Sequence, residues 1–172
     1  ATVVNAHALT KVTGTSAEIA DALNGTALVK PASYTAELTA GAEIATNITA
    51  LDTLSGAAVK IDASAVTSIE GSSDAIATAI GNLETTPTAT FTVVPTDADP
   101  LATDLTILAE TANIDLDLSG VTSIDANDLN ASDVLEAINA VETADITMPA
   151  VYTVTLEANT NTSVDIAHDA TA

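Results

Sequence analysis

The sequence predicts an α/β fold: a solenoid-like stack of β-α repeats with a parallel sheet, about three periods of ~57 residues. Three observations predict it. Val66-Thr67-Ser68-Ile69 recurs as Val121-Thr122-Ser123-Ile124 and, more loosely, as Leu9-Thr10-Lys11-Val12, so Val12, Ile69 and Ile124 mark successive cycles. An aromatic-Thr pair opens each cycle, at Tyr34-Thr35, Phe91-Thr92 and Tyr152-Thr153, the last interval being slightly longer than the first. Within each cycle, runs of period two alternate with runs of helical spacing, as parallel β-α units do. Because Thr and Val are frequent even in the helical runs, an all-β solenoid is the alternative.

Each element has its own signal. The aromatic strand covers Tyr34 to Leu38, Phe91 to Val94 and Tyr152 to Leu156. A polar, partly helical stretch follows, in which Ile44, Ile48 and Leu51 match Leu101, Leu105 and Leu108 at the spacing of one helical face. The second strand alternates most clearly: Val59, Ile61 and Ala63 against Lys60, Asp62 and Ser64, then Ile114, Leu116 and Leu118 against Asp115, Asp117 and Ser119. Val66 and Ile69 are three apart and cannot share a face of one flat strand, so a bend near Ala63-Ser64-Ala65 is expected. A short amphipathic helix ends the cycle: Ile76, Ile80 and Leu83 match Val134, Ile138 and Val141, and Ile19 and Leu23 match the first two of each set. Thr15-Ser16-Ala17-Glu18 has the form of a capping box, with Thr15 and Glu18 each satisfying a free backbone N–H.

The third cycle is split between the ends. Residues 152–172 read as the first half of a repeat, 34–90 and 91–151 as complete repeats, and 1–33 as the missing second half, all within a single repeat domain of 172 residues. Thr2 to Ala6 then align with Val59 to Ala63. Solenoid ends lacking caps are templates for further strands, and a head-to-tail contact that does not close makes a filament. The residues expected at such a joint are Val3, Val4, Leu9 and Val12 on one side, and Tyr152, Val154, Leu156, Val164 and Ile166 on the other. No signal peptide is legible and the chain begins with Ala, so we expect a processed chain or a piece of a longer one.

Composition narrows the function. Net charge is −21, from 24 acidic residues against Lys11, Lys30 and Lys60. Phosphate recognition needs clustered Lys and Arg, so nucleic acid is excluded as a partner, and anionic lipid is disfavoured for the same reason. No run nears the ~20 apolar residues of a membrane span, so no membrane insertion is expected. There is no cysteine, hence neither disulfide nor thiolate site.

The segments Asp62-Ala63-Ser64-Ala65-Val66-Thr67-Ser68-Ile69-Glu70-Gly71 and Val12-Thr13-Gly14-Thr15-Ser16-Ala17-Glu18-Ile19-Ala20 resemble the Ala/Thr/Asp-rich repeats of giant secreted surface proteins of cyanobacteria and other bacteria. The resemblance implies an extracellular, cell-surface setting and a role in surface layers, fibres, adhesion or matrix. It carries no catalytic residues.

Chemistry-bearing motifs are few. Asp97, Asp99 and Asp104 surround a Pro-bounded loop, and Asp125, Asn127 and Asp128 lie where the third copy is longer; such oxygen-rich loops suit calcium, the one cofactor the sequence suggests. Neither fits an EF-hand, and the nonapeptide of calcium-binding β-rolls is absent. His7 and His168 lack the spacing of a zinc pair. Neither a nucleophile elbow nor a phosphate loop is present. The sequence reading is therefore a non-enzymatic extracellular structural protein, joined to copies of itself head to tail or forming a segment of a long repetitive surface protein. The alternative is a calcium-dependent adhesion or glycan-binding module. A polysaccharide-acting enzyme would need acids gathered along one groove.

Overall fold

Most strands in this chain pair with the next strand but one, and in parallel. The computed structural model describes residues 4–25, 28–54, 58–126, 146–156 and 163–167. In chain order the elements are β1 (Val4–Asn5), β2 (Lys11–Gly14), α1 (Ser16–Leu23), β3 (Leu28–Val29), β4 (Ser33–Leu38), β5 (Gly41–Ile44), α2 (Ala45–Thr53), β6 (Ala58–Asp62), β7 (Val66–Gly71) and α3 (Ser73–Gly81). They continue with β8 (Leu83–Thr85), β9 (Phe91–Pro95), α4 (Ala102–Glu110), β10 (Ile114–Asp117), β11 (Ser123–Ala126), β12 (Ile146–Thr147), β13 (Val151–Leu156) and β14 (Ser163–Ala167). This is a mixed α/β fold with parallel sheets and, among the described residues, four helices and no closed barrel. The helices exclude the helix-free alternative.

Four sheets result: β1-β3, β2-β4-β6-β8, β12-β10-β9-β7-β5 and β11-β13-β14. Among the described residues every strand pairing is parallel except β13 with β14. Lys11 stands opposite Thr35, Tyr34 opposite Val59, Ile69 opposite Val93 and Phe91 opposite Ile114. Parallel strands need a crossover of a dozen or more residues, and these ladder steps, roughly 24 residues each, leave room for one. The step lengthens at Leu116 opposite Ile146 and at Ser123 opposite Thr153.

The ladder step is not the sequence period. Val12 is in β2, Ile69 in β7 and Ile124 in β11, each in a different sheet. Tyr34, Phe91 and Tyr152 are likewise distributed over the same three sheets. The path explains the difference. Val12 faces Ala36, and Ala36 faces Ile61 in turn. Ile69 then lies a little beyond Ile61 along the chain, in the next sheet. One sequence period is thus two rungs up and one sheet across.

One buried apolar cluster joins the described elements. It includes Ile19, Leu38, Ile48, Leu51, Ile61, Ile69, Ile76, Phe91, Leu105, Leu108, Leu116 and Tyr152. The helices pack in sequence, α1 on α2, α2 on α3 and α3 on α4. Three expectations shift by a residue or two. Ile44 and Leu101 are not on the buried faces of α2 and α4 but at their N-caps, 44% and 39% exposed. The buried stripes are Ala45, Ile48 and Leu51, and Ala102, Leu105 and Leu108. Leu83 belongs to β8 rather than to α3, which stops at its C-cap, Asn82. Val66 and Ile69 are both buried. The turn after Asp62 is present, and a register shift beside Gly41, which skips Thr67, restores the inward aim of both side chains.

Candidate functional site

One turn occurs three times among the described residues. At β1 the His7 N–H donates to Asn5 Oδ1 at 3.0 Å. At the end of β6 the Ser64 N–H donates to Asp62 Oδ1 at 3.0 Å, and at the end of β10 the Ser119 N–H donates to Asp117 Oδ1 at 3.0 Å. An Asx turn of this kind sets the chain's exit from a strand. The bonds around it recur too. The Leu9, Val66 and Val121 N–H groups donate to the carbonyls of Ala6, Ala63 and Leu118, each at 2.9 Å. The N–H groups of those same three acceptor residues donate onward to the carbonyls of Val29, Thr85 and Thr147, at 3.0, 2.9 and 2.8 Å. β1, β6 and β10 therefore end in the same turn. At Asp117 the Ser119 hydrogen bonds hold the carboxyl below its ordinary range.

Their neighbours differ. β6 lies beside the aromatic strand β4, with Ile61 opposite Ala36. β10 lies beside the aromatic strand β9, with Leu116 opposite Val93. Among the described residues, β1 has only β3. The third aromatic strand, β13, comes late in the sequence. It pairs with β11 on one edge, and on the other with β14 in antiparallel register, Tyr152 opposite Ile166 and Val154 opposite Val164. The residues expected at a joint thus fall into two groups. Leu9 and Val12 are half-buried near β1 and in β2, and Val4 is in β1. Tyr152 and Val154 are buried in the core, and Leu156, Val164 and Ile166 lie in the β13-β14 pair. Val3 lies outside the described residues.

Asp97, Asp99 and Asp104 are engaged by the chain's own donors. Asp97 accepts the Ser73 N–H at 3.0 Å and the Ser73 hydroxyl at 2.7 Å. Asp99 accepts the Ser123 hydroxyl at 2.5 Å. Asp104, in the first turn of α4, is pushed above the ordinary carboxylate range, first by burial and then by Asp74, with a smaller contribution from Asp97. Asp125 is in β11, and Asn127 and Asp128 lie outside the described residues. Among the described residues no group of three or more His, Cys, Asp or Glu is placed to hold a metal ion. His7 is exposed; His168 lies outside the described residues.

Sequence reasoning missed the most buried acid among the described residues. Glu43 is 2% exposed and accepts both the backbone N–H and the hydroxyl of Ser16, at the start of α1. Ser73 meets Asp97 in the same way at the start of α3. Ser16 and Ser73 stand one sequence period apart, which the sequence shows, and are both buried, which it does not. Each acid, supplied by the following turn of chain, satisfies donors at a positive helix end. The lysines also bridge rungs: Lys11 reaches Glu37 at 2.5 Å and Lys60 reaches Glu84 at 2.9 Å. The hydrogen bond to Glu37 raises the Lys11 pKa. No helix among the described residues is long and apolar enough to cross a membrane.

Comparison with known proteins found no matching family model, no matching curated protein and no matching solved structure.

Proposed function

We propose that this chain is a non-enzymatic structural protein of the cell exterior, built as a solenoid and joined head to tail to further copies of itself. The observation that carries the reading is the threefold turn. β6 and β10 each lie beside an aromatic strand, while β1 carries the same turn without one among the described residues. β13 of a second copy supplies that missing neighbour, in the register Val4 opposite Val154. This register follows from Ile61 opposite Ala36 and Leu116 opposite Val93. Joined in this way, the split cycle becomes whole and the parallel ladder runs on from one copy to the next.

Charge supports a joint that uses the amino-terminal end. All three lysines, and only Glu18, Asp21, Glu37, Glu43 and Asp52 among the acids, lie in residues 1–60; residues 61–172 hold every other acid and neither Lys nor Arg. Contact between two carboxy-terminal ends is the most strongly repelled. Salt screens the remaining repulsion, so assembly strengthens with ionic strength. The extracellular setting rests on the resemblance of the Asp62 to Gly71 segment to secreted surface-protein repeats.

The test is to mix chains carrying Val4→Cys with chains carrying Val154→Cys under mild oxidation. The parent has no cysteine, so a covalent pair can form only through the introduced thiols. Rapid formation of the mixed dimer, together with filaments of the parent chain in electron micrographs, is the expected result. A parent that stays a single subunit at high concentration and salt, with no mixed dimer, overturns the reading.

A further inference from the structure

The strand β14 stands where the repeat puts a helix. α2 begins at Ala45, α4 at Ala102 and β14 at Ser163, each at the same offset from the aromatic residue that opens its cycle, Tyr34, Phe91 and Tyr152. The opening residues correspond: Ala45-Thr46-Asn47-Ile48, Ala102-Thr103-Asp104-Leu105 and Ser163-Val164-Asp165-Ile166. Two of these segments are helices and the third is, among the described residues, the one strand that joins its neighbour antiparallel.

The difference has a physical cause in the surroundings. A helix of nine residues is marginal in water and depends on packing. α2 packs between α1 and α3 and against β5, β6 and β7. Much of that support, β6, β7 and α3, comes from the turn of chain that follows it. The following turn also supplies β6 itself, which takes the open edge of β4, as β10 takes that of β9. Among the described residues no strand takes the corresponding edge of β13 in parallel; β14 holds it instead. Without such a neighbour that edge has unpaired N–H and C=O groups, and the segment that would be a helix lacks its packing partners. Folding that segment back as β14 answers both.

Resting on the head-to-tail reading, we propose that β14 is a self-cap that exchanges for β1 of a second copy. In the single subunit, β14 covers the edge of β13. On docking, β1 of the incoming copy takes that edge in parallel register, and the segment beginning at Ser163 winds into the helix that α2 and α4 represent. The partner is a second copy of this chain because β1 already carries the turn of the strands that fill this place in the other cycles. Growth is then gated: the cap must be released at each addition, and unassembled subunits do not present a bare β13 edge.

A reversible lock tests the exchange. Thr153 and Asp165 are antiparallel partners, and such pairs are close enough in Cα separation for a disulfide. The full chain carrying Thr153→Cys and Asp165→Cys is followed by light scattering and far-ultraviolet circular dichroism, oxidised and then reduced, beside the parent. The oxidised form should assemble roughly tenfold or more slowly than the reduced one, since its edge stays covered. The reduced form and the parent should assemble alike and gain helical signal as they do so. If oxidised, reduced and parent chains all assemble at one rate, the exchange is overturned and the pairing of β1 with β13 falls with it, while joining of copies through another edge stands. If none assembles, head-to-tail joining fails and the exchange fails with it.

Discussion

The helices α1 and α3 start differently from α2 and α4, and the contrast explains why one sequence period spans two ladder steps rather than one. α1 and α3 have side-chain caps. Thr15 Oγ1 accepts the Glu18 N–H at 3.2 Å while Glu18 Oε2 accepts the Thr15 N–H at 2.9 Å, and Ser72 Oγ accepts the Ala75 N–H at 3.4 Å. Each has a buried serine at its first position, held by an acid from the next turn. α2 and α4 have Ile44 and Leu101 at the cap, with no side-chain hydrogen bond. Their starts are fixed by strand pairing instead, Ile44 opposite Glu70 and Leu101 opposite Asp125. Thr49 and Thr106 donate back to the carbonyls of Ala45 and Ala102 at 3.2 and 2.9 Å. A short helix can therefore be anchored by capping or by its entry strand, and this chain alternates the two.

The largest expected effect tests whether the two kinds share one core. Ile76→Ala in α3 and Leu105→Ala in α4 both empty fully buried sites and should each cost about 2–5 kcal/mol in urea unfolding. A much smaller loss for one would mean that its class of helix is not part of the cooperative unit. Next comes the buried acid. Glu43→Leu strips the Ser16 N–H and hydroxyl of their acceptor and should cost about 1–3 kcal/mol; adding Ser16→Ala should recover part of it, as measured by the double-mutant cycle. Smaller still, Thr15→Ala and Ser72→Ala should each lose about 1 kcal/mol of thermal or chemical stability. Ile44→Ser, which offers a side-chain cap where none exists, should be neutral or stabilise by a few tenths of a kcal/mol, since Ile44 is exposed.

The smallest effect is electrostatic and its sign is fixed. Burial and Asp74 raise the folded-state pKa of Asp104 above its ordinary 3.8, so the folded chain holds that proton more tightly than the unfolded one. Asp104 thus subtracts stability at neutral pH, and the loss fades as pH falls through the raised folded value towards 3.8. Asp104→Asn should raise the melting temperature at neutral pH and lose that advantage at about pH 3. An equal gain at both pH values would assign the effect to packing rather than charge.

Local structure was legible because local chemistry sets it. The alternation of Val59, Ile61 and Ala63 marks β6, with Ile61 and Ala63 wholly buried, and Thr15 with Glu18 form both bonds of the capping box. The likeness of Asn5, Asp62 and Asp117 survives as three matching turns. What was not legible is which strands pair. Similar residues lie a full sequence period apart, but hydrogen bonding joins dissimilar strands at less than half that distance, such as Lys11–Gly14 with Ser33–Leu38. Nothing in their sequences advertises the match. Ile44 and Leu101 fit a helical stripe yet serve as caps, because the ladder holds them one residue outside the helix. Glu43 was invisible for a statistical reason: one acid among 24 carries no mark of burial.

The two-rungs-up, one-sheet-across path has a consequence for safety as well as shape. A repetitive chain rich in Val and Thr risks stacking each strand on its own likeness, the arrangement from which amyloid fibrils grow. Here β4 meets β2 and β6, and β9 meets β7 and β10, so among the described residues no aromatic strand faces another in the ladder. Each aromatic strand among the described residues is paired with strands of a different kind. Repetition thus builds length while denying the sequence a self-copying surface.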